Sequence, residues 1–133
     1  FTGYHLNHLD ENEVNEVSGI SGSCMLINCK LIEKIGYFDE IFSIYQEDSD
    51  FCLRALNNGW RVFYFPNSKV IHLGGRGGTN SYPYQMILEW HRSYIRYYFK
   101  HFSKEHSTIF NLIYLLVMIA KLVLAEVIIM MKR

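Results

Sequence analysis

The stretch Tyr45-Gln46-Glu47-Asp48-Ser49-Asp50 sets three carboxylates within four positions. A helical pattern continues from it to Asn58-Gly59, so these acids stand where a helix begins. A helix N-terminus offers unpaired N–H groups and the positive end of its dipole, and both favour negative charge. Capping alone accounts for acids in such a place. The chemical alternative is a carboxylate held ionised at the rim of an α/β sheet, able to take the proton of an acceptor hydroxyl. Glu47, Asp48 and Asp50 are the candidates for that work. His72 ends a short apolar run and is followed by Gly74-Gly75-Arg76-Gly77-Gly78. A neutral imidazole there suits a divalent metal, and equally a structural hydrogen bond.

These groups need elements to hold them. Ser18-Gly19-Ile20-Ser21-Gly22-Ser23 is a small-residue stretch suited to turns and close backbone approach. Cys24 to Asn28 is short, apolar and bounded, which predicts a buried strand. A brief helix is predicted over about 30–35, stopped by Gly36. A second runs from Glu47 to Asn58-Gly59, with Phe51, Ala55 and Leu56 on one face and an Asp50–Arg54 pair at i,i+4. Trp60 to Phe65 is β-prone and ends at Pro66. Lys69 to Leu73 predicts another strand. Residues 1–17 read as loop or a weak edge element.

After Pro83, a residue that often opens helices, one long helical pattern reaches about Phe102. A second begins near Ser107 or Thr108 and runs almost to the end. The expected division is therefore 1–80 for a mixed α/β part, 81–106 for a basic amphipathic helix and 107–133 for a hydrophobic one.

The 133 residues are half hydrophobic with zero formal net charge, which excludes a disordered chain. The acids cluster early and the basic residues are spread along one helix, so no nucleic-acid arm is present. Three cysteines, Cys24, Cys29 and Cys52, match no redox pair or zinc knuckle and are expected to be reduced, half-buried thiols. The chain opens on Phe1-Thr2-Gly3-Tyr4 and reads as a piece of something longer.

Taken in order, Gly22 to Ile27, Ile35-Gly36-Tyr37-Phe38-Asp39-Glu40, Tyr45 to Ala55, Gly59-Trp60, Pro66 and Val70-Ile71-His72 resemble the C-terminal half of family 2 glycosyltransferases. The resemblance is closest to the rhamnosyltransferase-like branch that builds bacterial surface polysaccharides, and it covers residues 19 to about 102. It implies an α/β fold: the C-terminal part of a GT-A nucleotide-sugar transferase sheet domain, followed by two long C-terminal helices. It implies transfer of a sugar from a nucleotide-sugar donor to a hydroxyl of a glycan or lipid-linked acceptor, with inversion. On this sequence the family's Glu-Asp pair falls on Glu47-Asp48, with Asp48 as base. Its strand-end His falls on His72, which would help bind the divalent metal (Mg or Mn) on the donor diphosphate. Gly22 and Ser23 fall where the family lines the sugar pocket. Arg76 is added on charge grounds, as a loop cation that could meet diphosphate. The family's nucleotide-binding strands and Asp-x-Asp metal motif belong to the N-terminal half, expected to lie outside this chain. The metal is therefore expected to be held mostly there, and the fragment to be inactive alone, with an exposed sheet edge.

Arg92, Arg96, Lys100 and Lys104 recur every fourth residue amid Trp90, Tyr94, Tyr97, Tyr98 and Phe102, a composition that fits the headgroup region of a membrane. From Thr108 to Met131 the chain is apolar except for Asn111, Lys121 and Glu126, long enough to span a bilayer. The expected location is the cytoplasmic face of the cell membrane, peripheral or single-span. Two other readings stand beside the transferase. One is a membrane-anchored, non-catalytic binding or assembly domain of the same fold; the other is a metallohydrolase built on Asp48, Asp50 and His72.

Overall fold

The computed structural model describes residues 9–73 and 83–131. Among these, strand β1 (Asn15–Val17), helix α1 (Cys29–Ile35), helix α2 (Glu47–Asn57), strand β2 (Val62–Tyr64), helix α3 (Pro83–His101), a 3-10 turn at Ser103–Glu105 and helix α4 (Thr108–Met131) follow in order. The chain divides into two compact units, Phe1–Asp39 with Asp48–His72, and Glu40–Glu47 with Leu73–Arg133.

In the first unit, β1 and β2 pair antiparallel, with Asn15 opposite Tyr64 and Val17 opposite Val62. Arg61 reaches back along this ribbon to Glu16, with Nη2 2.6 Å from the carboxylate. Two small apolar clusters sit on the buried face of α2. Cys52 joins Val17 and Val62; Phe51 and Ala55 join Leu31. Local chemistry sets the helix ends. The Asn28 side chain caps α1 by accepting from Lys30 N–H at 2.9 Å. Gly36, at φ 79°, closes it in a conformation that costs a residue with a Cβ far more than glycine. Gly59, also at φ 79°, does the same beyond α2.

Two predicted strands do not form. Cys24 to Asn28 and Lys69 to Leu73 carry no ladder among the described residues. The side chains of the first segment still alternate: Met25 and Ile27 pack on the α2 clusters while Leu26 is fully exposed. A strand exists only with a hydrogen-bonded neighbour, and neither segment has one here. The sheet is thus a two-stranded ribbon, smaller than the α/β reading expects. The cysteines also depart in part, because Cys52 is buried while Cys24 and Cys29 are exposed.

In the second unit, α3 and α4 pack along each other. Tyr98 stacks on Tyr114 with centroids 3.9 Å apart and its hydroxyl donates to the Asn111 side chain. Tyr114 hydroxyl donates to the Tyr94 carbonyl at 3.2 Å, and Lys121 Nζ lies 5.3 Å from the Trp90 ring centroid. Helix α4 is long and apolar enough to cross a membrane, and only 6% of its most apolar stretch is buried.

Candidate active site

Asp48 is the second residue of α2 and is half-buried. Its Oδ1 accepts from Ser49 N–H at 2.7 Å, a local bond to the next residue. Its Oδ2 accepts from Gly22 N–H at 2.9 Å. One turn further along the same helix face, Cys52 Sγ approaches the Ile20 carbonyl at 4.0 Å. The small-residue stretch is therefore laid across α2 at two points, and Gly22 comes so near that a Cβ there would stand 3.5 Å from Asp48 Cβ. Ser23 closes the turn through its N–H and hydroxyl to Ser21 Oγ. A carboxylate oxygen has room for two donors, so Asp48 keeps accepting capacity toward solvent.

Asp50 has a different task. It is fully buried, and Arg54 Nε donates to its Oδ2 at 2.8 Å. The same guanidinium donates to the Ile35 and Tyr37 carbonyls, each at 2.8 Å. A cation at the C-terminal end of α1 meets the negative end of that helix dipole. Phe38 adds a ring contact to Phe51 at 5.0 Å. The run Ile35 to Phe38 is thus a joint that fixes α1 on α2. Asp50 belongs to this joint, which removes it from any metal-binding set.

Immediately before the acids, Tyr45 and Gln46 have φ values of 65° and 67°. Two successive non-glycine residues in the left-handed region cost about 1 kcal/mol or more each. Such backbone persists only where surrounding contacts impose it. Helix α3 supplies them. Ser93, fully buried, donates its hydroxyl to the Ile44 carbonyl at 2.7 Å. Arg96 donates to the Ile41 carbonyl at 2.9 Å, and Ser43 hydroxyl to Glu89 at 3.1 Å. Lys100 Nζ lies 5.5 Å from the ring centroid of buried Phe42. Much of the basic stripe of α3 therefore grips the segment leading into Glu47. Sequence reasoning missed this clamp; its one visible sign is a serine amid the aromatics of α3. Glu47 has a carboxylate oxygen, Oε2, that is buried without a hydrogen-bond partner among the described residues.

His72 is exposed, beyond β2 and outside any helix or strand. Among the described residues no contact joins it to Asp48, and no group of three or more His, Cys, Asp or Glu is arranged to hold a metal ion. These residues do not by themselves build a metal centre. Arg76 lies outside the described residues. An open, largely apolar groove of about 940 Å³ also runs through the first unit, between Met25 and Phe65, but Asp48 and His72 are not among its lining residues.

Comparison with known proteins is decided by one match. The family model described as glycosyl transferase family group 2 covers residues 4–131. The chain belongs to this family. Within family group 2, it is 35% identical over 71 residues to an N-acetylglucosaminyl-diphospho-decaprenol L-rhamnosyltransferase from two strains of Mycobacterium tuberculosis; the match covers 53% of this chain and 23% of the relative. It is 42% identical over 45 residues to a low-salt glycan biosynthesis hexosyltransferase of Haloferax volcanii, covering 34% of this chain and 15% of that one. The matched segment thus spans about a quarter of these relatives or less. No solved structure matches the chain. The rhamnosyltransferase-like branch of family group 2 is supported by these relatives.

Proposed function

We propose that this chain is the acceptor-side part of an inverting GT-A glycosyltransferase, in which Asp48 removes the proton from an acceptor hydroxyl. The acceptor oxygen bonds to the anomeric carbon as the bond from that carbon to the donor diphosphate breaks. The electron pair leaves with the nucleoside diphosphate, and the proton passes to the Asp48 carboxylate and then to solvent. The observation that carries the reading is the setting of Asp48: half-buried at a helix N-terminus, held by two N–H donors and facing no basic side chain in its hydrogen bonds. Such a carboxylate is oriented with no counter-charge bonded to it.

Glu47 stands beside the base on backbone that α3 constrains. Gly22 and Ser23 form the turn Asp48 holds, and in this reading they line the sugar pocket. Arg76 meets the diphosphate. A divalent cation on that diphosphate would draw at most one ligand, His72, from the described residues. The acceptor class is a lipid-linked or growing glycan used in surface polysaccharide synthesis, at the cytoplasmic face of the membrane. The names of the relatives support this, and so does the apolar α4.

The test is Asp48→Asn in the full-length protein. Turnover should fall by about 10²–10⁴-fold, the usual contribution of a general base, while nucleotide-sugar binding is retained. Undiminished turnover removes Asp48 from the chemistry.

A further inference from the structure

Helix α4 is coated with large apolar side chains on every side except the one that meets α3. Met118 is its buried residue, with Asn111, Tyr114, Leu122, Ala125 and Ile129 partly covered around it. At 100° per residue these positions share one face. The opposite face carries Ile109, Leu116, Val123 and Met130, seven residues apart and all exposed. Leu112 and Ile119 widen it on one side, and Ile113 and Leu124 on the other. The polar groups of α4 avoid it. Asn111 bonds Tyr98, Lys121 leans on Trp90, and Glu126 is half-buried.

We infer that the α3–α4 hairpin lies flat in one leaflet of the membrane, with the Ile109–Met130 face of α4 in the acyl chains, and does not cross it. The inference rests on the membrane contact proposed above. Lipid fits this face better than a second helix does. A coiled-coil seam is a narrow stripe, whereas the uncovered apolar surface of α4 takes in roughly half of its circumference.

Crossing conflicts with the packing. Contacts of α3 with α4 include Asn111, Tyr114 and Lys121, and Leu122, Ala125 and Ile129 on the same face are partly covered. Were α4 upright in a bilayer, α3 would be drawn in beside it with Glu89, Arg92, Arg96 and Lys100. Each ionised Arg or Lys at the bilayer centre costs about 2.5–3.5 kcal/mol on insertion scales. Lying flat removes the conflict. The long apolar face enters the leaflet to a uniform depth, and α3 stays on the aqueous side with its cations on the Glu40–Glu47 segment.

Depth measurement on the full-length protein tests this. Ile109→Cys, Leu116→Cys, Val123→Cys and Met130→Cys are made singly in a background without other reactive thiols (Cys24→Ser and Cys29→Ser included). Each is labelled with an environment-sensitive fluorophore and bound to phosphatidylcholine–phosphatidylglycerol vesicles. Lipids brominated near the headgroup or near the chain end serve as quenchers. The expected result is a blue shift at all four positions with one common, shallow quenching profile. A profile deepest at Leu116 and Val123 and shallow at the two ends would mean a span, overturning the flat arrangement but leaving membrane contact intact. Failure to bind vesicles, or a concentration-dependent blue shift without lipid quenching, would overturn both, the latter in favour of a second copy.

Discussion

Asp48 Oδ2 accepts a hydrogen bond from the backbone N–H of Gly22, 26 residues earlier in the chain, at 2.9 Å. The bond joins the acid to the small-residue turn, and it specifies how substitutions should behave. An Asn side chain at position 48 retains a carbonyl that can accept from Gly22 N–H. Asp48→Asn should therefore leave the thermal midpoint nearly unchanged while turnover collapses. Asp48→Ala should lower both, losing about 1 kcal/mol or more with the bonds to Ser49 N–H and to the turn. If the two variants unfold at the same temperature, the bond does not hold the turn.

Ser93 acts on the chain that enters the acids, through the Ile44 carbonyl. Ser93→Ala leaves that carbonyl without its donor and should cost about 1 kcal/mol in stability. It should also lower kcat of the full-length enzyme with little change in donor KM, because only the chain entering Glu47 is loosened. A rise in donor KM at unchanged kcat would place the effect elsewhere.

Arg54 uses a planar fork that lysine cannot reproduce, with one bond to Asp50 and two to the carbonyls of Ile35 and Tyr37. Arg54→Lys keeps the charge but not the geometry. Loss of about 1–3 kcal/mol is expected, read by denaturant titration. Arg54→Ala should be worse, by about 3–5 kcal/mol, since it strands the buried Asp50 carboxylate.

The acid limb of stability should carry a signature from Glu89. The Arg92 guanidinium, bonded to it at 2.7 Å, holds its carboxyl below the usual carboxylate range; desolvation opposes this, and the Ser43 hydroxyl assists Arg92. A group whose folded value lies below its unfolded one stabilises fully above the unfolded value and loses that contribution as pH falls through the folded one. Glu89→Gln should therefore lower the thermal midpoint at neutral pH and flatten its decline below about pH 4.5, the ordinary carboxylate value. Parallel midpoint–pH curves for variant and parent would refute the assignment.

Much of this architecture was written locally in the chain. Gly36 and Gly59 ended α1 and α2 as expected because a left-handed terminus is a property of one residue, and the Asp50–Arg54 pair followed from helical spacing. Strands were less legible. Cys24 to Asn28 and Lys69 to Leu73 have the composition of strands, yet a ladder depends on a neighbour that composition does not name. Contacts of high sequence separation were hidden altogether. Ser93 meets Ile44 across 49 positions, and nothing in the helical pattern of α3 distinguishes a buried serine that holds a carbonyl from one facing water. The remaining two bonds of Arg54 were invisible for the same reason.

Helix α3 has partners on both sides: Ser93, Arg96 and Lys100 on the Glu40–Glu47 segment, and Trp90, Tyr94 and Tyr98 on α4. A single inserted or deleted residue would turn its axis by about 100° and break both sets together. The C-terminal hairpin is consequently not a detachable anchor. A chimera that takes α3 and α4 from one family member must take residues 40–47 from the same parent, or the transplanted helix will arrive with its grip on a stranger's backbone.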